Sequence, residues 1–216
     1  MAKYLLLYEQ NVKKYADVLE YTRRYLEETA AKNPFDLHPW CLPEHRIDHT
    51  LIVLKNSFLL AKNRRVNSDV IALSAIMHDI AAFSSERKEH AEEGAKIAEE
   101  YLVNHGYPAD LVQKVAHSIR VHAGPSASSP RSLEAKILQD ADTIDKVGAL
   151  GITTFLLHYG SKKMLPKQVL TELQKDMPKR LEWYYKTMNF PEGKRIVGKG
   201  CRYIREFIER LQSEIE

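Results

Sequence analysis

The chain is poor in cysteine, with only Cys41 and Cys201 in 216 residues. The two stand far apart without Cys-x-x-Cys spacing, which argues against a disulfide framework and against a thiolate-ligated zinc site. No apolar run approaches the ~20 residues that span a bilayer. The stretch from Tyr4 to Tyr8 is too short for the core of a secretory signal, so a cytoplasmic protein without membrane association is expected. Neither sign of charge is in excess: 32 Lys+Arg against 29 Asp+Glu give +3, too little to argue for nucleic acid. Strand-like alternation, internal repeats and low-complexity segments are also missing. An apolar fraction of 44% and a charged fraction of 28% are those of an ordinary globular protein.

What is present is helical periodicity along nearly the whole chain, which predicts an all-α fold. The pattern places helices at about 11–32, 45–62, 69–82, 87–104, 108–122, 132–146, 149–159, 166–189 and 193–214. Punctuation supports these limits: Asn33-Pro34, a cap at Asn67 or Ser68, Gly106, Gly124-Pro125-Ser126, Gly148 and Pro191-Glu192-Gly193. Val70 to Met77 is apolar nearly all round and belongs in a core. The last helix carries the stripe Val197, Cys201, Ile204, Ile208, Leu211 and Ile215, read as packing on its own chain, with a homodimer left open. From His158 onward 13 Lys+Arg face 8 Asp+Glu, a net +5 against −2 before it; this is read as a solvated basic face.

Nine histidines are more than a chain of this size usually carries, and their placement is informative. His90 heads the stripe Gly94, Ile97, Ala98, Tyr101, and His122 ends the stripe Val112, Val115, Ile119. Asp140 lies on the line of Ile137 and Ile144, His78-Asp79 follows the most apolar helix, and His49 precedes Ile52 and Val53. His117 falls on the opposite face from Val115 and Ile119 and is kept as a reserve for His122. His38, His45, His105 and His158 are read as surface or loop residues. A buried carboxylate costs several kcal/mol unless paired or metal-bound. Two carboxylates and four imidazoles on the inward faces of five successive helices therefore point to one or two divalent transition metals (Fe, Mn, Ni, Co or Zn).

Written in order, the pattern is His49, His78-Asp79, His90, His122, Asp140. It resembles the HD-domain superfamily of metal-dependent phosphohydrolases, named for the adjacent His-Asp pair. Ala75-Ile76-Met77-His78-Asp79-Ile80 is similar to the HD core, and His90-Ala91-Glu92-Glu93-Gly94-Ala95 to the helix of the third histidine. Leu133-Glu134-Ala135-Lys136-Ile137-Leu138-Gln139-Asp140-Ala141-Asp142 with Gly148-Ala149-Leu150-Gly151-Ile152 is similar to the closing aspartate helix. The resemblance covers about residues 45–155. It implies a single all-α domain, 1–216, with an HD core at 45–155 and a C-terminal helical extension at 156–216.

By the resemblance, His49, His78, Asp79 and Asp140 hold a first metal, and His90 and His122 match the positions for a second, with Asp79 bridging. Asp79, His90 and His122 are then also the catalytic set. Asp142 and Asp145 flank the closing ligand, on a solvated face or bonded to ligating histidines. The activity implied is hydrolysis of a nucleotide or similar small phosphorylated metabolite by metal-activated water. One departure stands out: many members continue His-Asp-Ile with Gly-Lys, the lysine serving the phosphate, whereas this chain has Ala81-Ala82-Phe83. Phosphate contacts are therefore sought at Arg87, Lys88 and Arg120, with Arg46 also near by sequence. Two other readings keep the site: a di-iron oxygenase, which some members of the superfamily are, and a regulatory module with a structural metal.

Overall fold

The computed structural model describes residues 3–32, 42–84, 89–123 and 130–216. These residues form ten helices and no strand: α1 (Lys3–Lys14), α2 (Ala16–Lys32), α3 (Pro43–Ala61), α4 (Ser68–Met77), α5 (His90–Asn104), α6 (Ala109–Arg120), α7 (Leu133–Ile144), α8 (Gly148–Ser161), α9 (Pro166–Thr187) and α10 (Pro191–Ile215). The all-α expectation holds. Expectations that concern Cys41, Arg87, Lys88, His38 and the break at Gly124-Pro125-Ser126 lie outside the described residues.

Two limits differ from the periodicity. The first helix begins near Lys3 and is interrupted at Tyr15, because Tyr4, Leu7, Tyr8 and Val12 pack against the core although they read weakly as a stripe. The third predicted helix stops at Met77, and residues 78–84 continue as turns that still bury Ile80 and Ala81. Helical spacing of buried residues thus outlasts the helix itself, which turns the chain at His78-Asp79.

α4 runs through the centre. From Val70 to Met77 every residue is buried, and the helix contacts α1, α2, α3, α6 and α7. It starts where Asn67 Oδ1 accepts hydrogen bonds from the Asp69 and Val70 amides, satisfying donors that a helix start leaves open. A helix apolar on all sides has no solvent face, so its C-terminal end delivers the next two residues, His78 and Asp79, into the interior. Their neighbours are α3, α5, α6 and α7, which contribute Phe58, Ala95, Ile119 and Ile137 to the same cluster.

A second cluster joins α8, α9 and α10 through Phe155, Leu173, Met177, Leu181, Val197, Cys201 and Ile204. Of the α10 stripe, Val197, Cys201 and Ile204 are buried against this chain's own helices, while Ile208 and Leu211 lie partly buried beside them. The join between α7 and α8 is tight: Gly148 has φ +71°, a region that favours glycine. A Cβ on Gly200 of α10 would lie 2.6 Å from Val147 Cγ2, so α10 crosses close to this join.

Candidate metal centre

Five stretches of chain converge on Asp79. α3 supplies His49, the end of α4 supplies His78 and Asp79, the first residue of α5 is His90, His122 follows α6, and α7 supplies Asp142. Asp79 Oδ2 lies 3.6 Å from His49 Nε2 and 3.7 Å from His78 Nε2. Its other oxygen, Oδ1, lies 3.6 Å from both His90 Nε2 and His122 Nε2. One carboxylate therefore faces two imidazole pairs, one with each oxygen. The groups His49, His78, Asp79 and Asp79, His90, His122 each present donor atoms close enough together to hold an ion.

These spacings fit a metal. Donors about 2.0–2.2 Å from a common ion and roughly 90–110° apart are separated by about 3–3.5 Å. His49 Nε2 and His78 Nε2 are 3.1 Å apart, and the remaining Asp79 contacts are a few tenths of an ångström wider than that range. Nitrogen and oxygen donors without sulfur suit Fe, Mn, Co, Ni or Zn.

The rings are aimed from behind. His78 Nδ1 donates to the Ala75 carbonyl at 2.9 Å and His122 Nδ1 to the Ile119 carbonyl at 2.7 Å. His49 Nδ1 donates to Asp145 Oδ2 at 2.5 Å. In each case a hydrogen bond at Nδ1 fixes the tautomer that leaves Nε2 free as a ligand, and carboxylate partners such as Asp145 also raise its basicity. The two main-chain acceptors sit three residues before their histidines, at the last carbonyls of α4 and α6. Placing a ligand just past a helix end is what makes that contact available.

Asp140 does not join these groups; Asp142 approaches the first of them at His49. Asp142 Oδ1 lies 3.4 Å from His49 Nε2. Asp140 is fully buried elsewhere: Oδ1 accepts from the Asn189 amide at 2.8 Å and from Asn189 Nδ2 at 2.9 Å, and Oδ2 accepts from the Phe190 amide at 3.0 Å. It thus satisfies open donors at the start of α10, where a carboxylate also meets the positive end of the helix. The expected closing ligand Asp140 therefore faces the start of α10, and the carboxylate of α7 that faces His49 is Asp142. The residues stand two apart, about 200° around α7, and both directions are interior because α10 covers the side that a shorter core would expose.

Burial and partners separate the protonation of these groups. Burial alone would push His49 down, but hydrogen bonds to Asp142 and Asp145 outweigh it and raise it to about 9. His78 is lowered to about 4, chiefly by burial, with the neighbouring rings adding to the shift. Burial opposes the charge on Asp79 and Asp142, yet both are held well below the usual carboxylate range. For Asp79 the main opposing groups are His78 and Arg46, and for Asp142 they are Lys146 and His49. Because ligands bind without their proton, metal uptake at neutral pH must expel the proton held by His49.

Two cations touch the ligand carboxylates. Arg46 Nη1 donates to Asp79 Oδ2 at 2.9 Å, and Lys146 Nζ donates to Asp142 Oδ2 at 2.6 Å. Arg46 is among the arginines near by sequence, whereas Lys146 stands just past the end of α7, where helical spacing no longer marks it. Arg120 is instead paired with Glu92 at 2.9 Å on the surface between α5 and α6, so its expected phosphate role is not supported by its position. His117 Nε2 accepts from the Arg131 amide at 3.4 Å, away from the cluster, and His122 takes the inward place. His105 stacks on Tyr101, with ring centroids 3.9 Å apart.

A model of the HD domain family matches residues 46–146. No curated protein matches the sequence significantly. Among solved structures, a predicted HD superfamily hydrolase from an uncultured Thermotogales bacterium shares 24% identity, with 91% of this chain and 92% of that one covered at TM-score 0.60. An HD-superfamily hydrolase from Bacillus thuringiensis shares 22% identity over 92% and 97% of the chains, at TM-score 0.64. Bacillus subtilis YpgQ in complex with ADP shares 16% over 91% and 97%, at TM-score 0.64. These likenesses cover about nine tenths of the chain, more than the family match.

Proposed function

Residues 46–146 of this chain are an HD domain, and from that premise we propose a metal-dependent phosphohydrolase that cleaves a small phosphorylated metabolite, a nucleotide being the leading class. The observation that carries this reading is Asp79 facing His49 and His78 with one oxygen and His90 and His122 with the other. In this assignment His49, His78 and Asp79, with Asp142 beside His49, would hold a first ion, and Asp79, His90 and His122 would hold a second. A divalent ion held there would supply Lewis acidity, polarising a phosphoryl group and lowering the pKa of water so that hydroxide is available near neutral pH.

The chain's own residues do the rest. Asp79 sets the spacing of the two donor groups, and Asp145 holds His49 in the ligating tautomer. Arg46 stands against Asp79 with its side chain 22% exposed, so it can turn part of its planar fork to a phosphoryl oxygen. The balance of charge favours an anion. Asp79, Asp142 and Asp145 against Arg46 and Lys146 leave −1, which one divalent ion converts to +1 and two to +3.

The test is phosphate release from a panel of nucleotides and other phosphoesters after metal removal and reloading with Mn, Ni, Co, Fe or Zn. Turnover is expected with at least one metal, with loss in the metal-free protein. Absence of metal-dependent turnover across the panel would overturn the reading. Oxygen uptake by the iron-loaded protein would replace it with an oxygenase.

A further inference from the structure

We propose that Lys146 is a phosphate-binding residue of this chain, standing in for the lysine that Ala81-Ala82 leaves out after the His-Asp pair. The inference rests on the phosphohydrolase reading and names a group of the same site. Its first support is position. Lys146 Nζ donates to Asp142 Oδ2 at 2.6 Å, while Asp142 Oδ1 faces His49. The ammonium therefore lies one carboxylate away from the donor atoms of the first ion.

Accessibility is the second support. Asp142 is 8% exposed but the Lys146 side chain is 37% exposed, so the pair straddles the boundary between the buried centre and solvent. An ammonium has three N–H donors, and Asp142 uses one. An anion arriving from solvent to reach the first ion can meet the others. By contrast, the residues that occupy the missing Gly-Lys positions cannot serve, since Ala82, at the lysine's place, has only a methyl side chain.

The third support is anchorage. The Lys146 amide bonds to the Thr143 carbonyl at 3.1 Å, and the Lys146 main chain packs so closely on α8 that a Cβ on Gly151 would lie 2.5 Å from its carbonyl oxygen. The backbone is fixed by these contacts rather than by the side chain, so the ammonium beside Asp142 is not needed to hold the join. A lysine just past the C-terminal end of α7 also opposes that helix's negative end. Asp79 and Tyr184 are the other groups that act on it electrostatically.

The test is calorimetric titration of inorganic phosphate into metal-loaded wild type, Lys146→Met and Lys146→Arg, with metal content and melting temperature measured for each. Methionine keeps the length and volume of the stem and removes the charge. Expected is phosphate binding weakened about ten- to a hundredfold in Lys146→Met, the range of a lost charged hydrogen bond, with metal content unchanged and Lys146→Arg largely restored. Equal phosphate affinity in wild type and Lys146→Met would overturn the proposal and leave the phosphohydrolase reading standing. Loss of metal in Lys146→Met would also overturn it, by showing that the lysine merely holds Asp142. No phosphate binding even by the wild type would also overturn the proposal, while the phosphohydrolase reading is decided by turnover.

Discussion

Asp142→Ala is expected to lose metal from the first donor set, whereas Asp140→Ala is expected to keep metal and lose stability. The two aspartates stand two residues apart on one helix, yet they face different neighbours. Asp142 sits 3.4 Å from His49 Nε2, and removing it deletes one oxygen donor from the centre and strands Lys146. Outer partners of metal ligands alone change affinity by about 10–100-fold, so loss of a ligand should cost at least the upper end of that range. Asp140 receives three hydrogen bonds from Asn189 and Phe190 in a fully buried position. Its truncation leaves two main-chain N–H groups without acceptors and should cost about 3–5 kcal/mol. For a chain of this size that is a fall in melting temperature of about 6–20 °C. Metal content measured beside thermal unfolding separates the two. Metal loss in Asp140→Ala with retention in Asp142→Ala would reverse the assignment.

The second large effect is on folding alone. Gly151→Ala places a Cβ 2.5 Å from the Lys146 carbonyl oxygen and 2.7 Å from its carbonyl carbon. Both are main-chain atoms at the tight join between α7 and α8, so relief requires moving a helix rather than rotating a side chain. Overpacking of this kind costs about 1–3 kcal/mol, or slightly more against rigid backbone, and exceeds the gain of up to about 1 kcal/mol from alanine's better helix propensity. Gly160, on the same helix with nothing within 4 Å of its would-be Cβ, supplies the control. Gly160→Ala should stabilise by about 0.5–1 kcal/mol. Denaturant unfolding of both variants checks the pair, and equal effects would show that α8 is not pinned at Lys146.

Most of the fold was legible in the sequence because its helices are amphipathic and their ends are marked by Asn67, Gly106, Gly148 and Pro191. His49, His78, Asp79, His90 and His122 were legible for a related reason. A titratable residue on an apolar stripe must face the interior, and five of them in order imply a shared purpose. The choice between Asp140 and Asp142 was not legible by that argument. An apolar stripe identifies burial but not which interior is reached, and the side of α7 covered by α10 is set by contacts 50 residues downstream. Asp145 was legible as a partner of a ligating histidine, whereas Lys146 was not, because beyond the end of a helix spacing no longer fixes direction. Arg120 shows the converse, since closeness in sequence to His122 leaves it at the surface, paired with Glu92.

The central claim is that Asp79 is shared by two metal positions, one completed by His49, His78 and Asp142 and the other by His90 and His122. Anomalous diffraction from crystals of the manganese-loaded protein tests it most directly. The account predicts one peak within bonding distance of His49, His78, Asp79 and Asp142, and a second beside Asp79, His90 and His122 at saturating metal. A peak bound by Asp140, or none between His78 and Asp79, would contradict it.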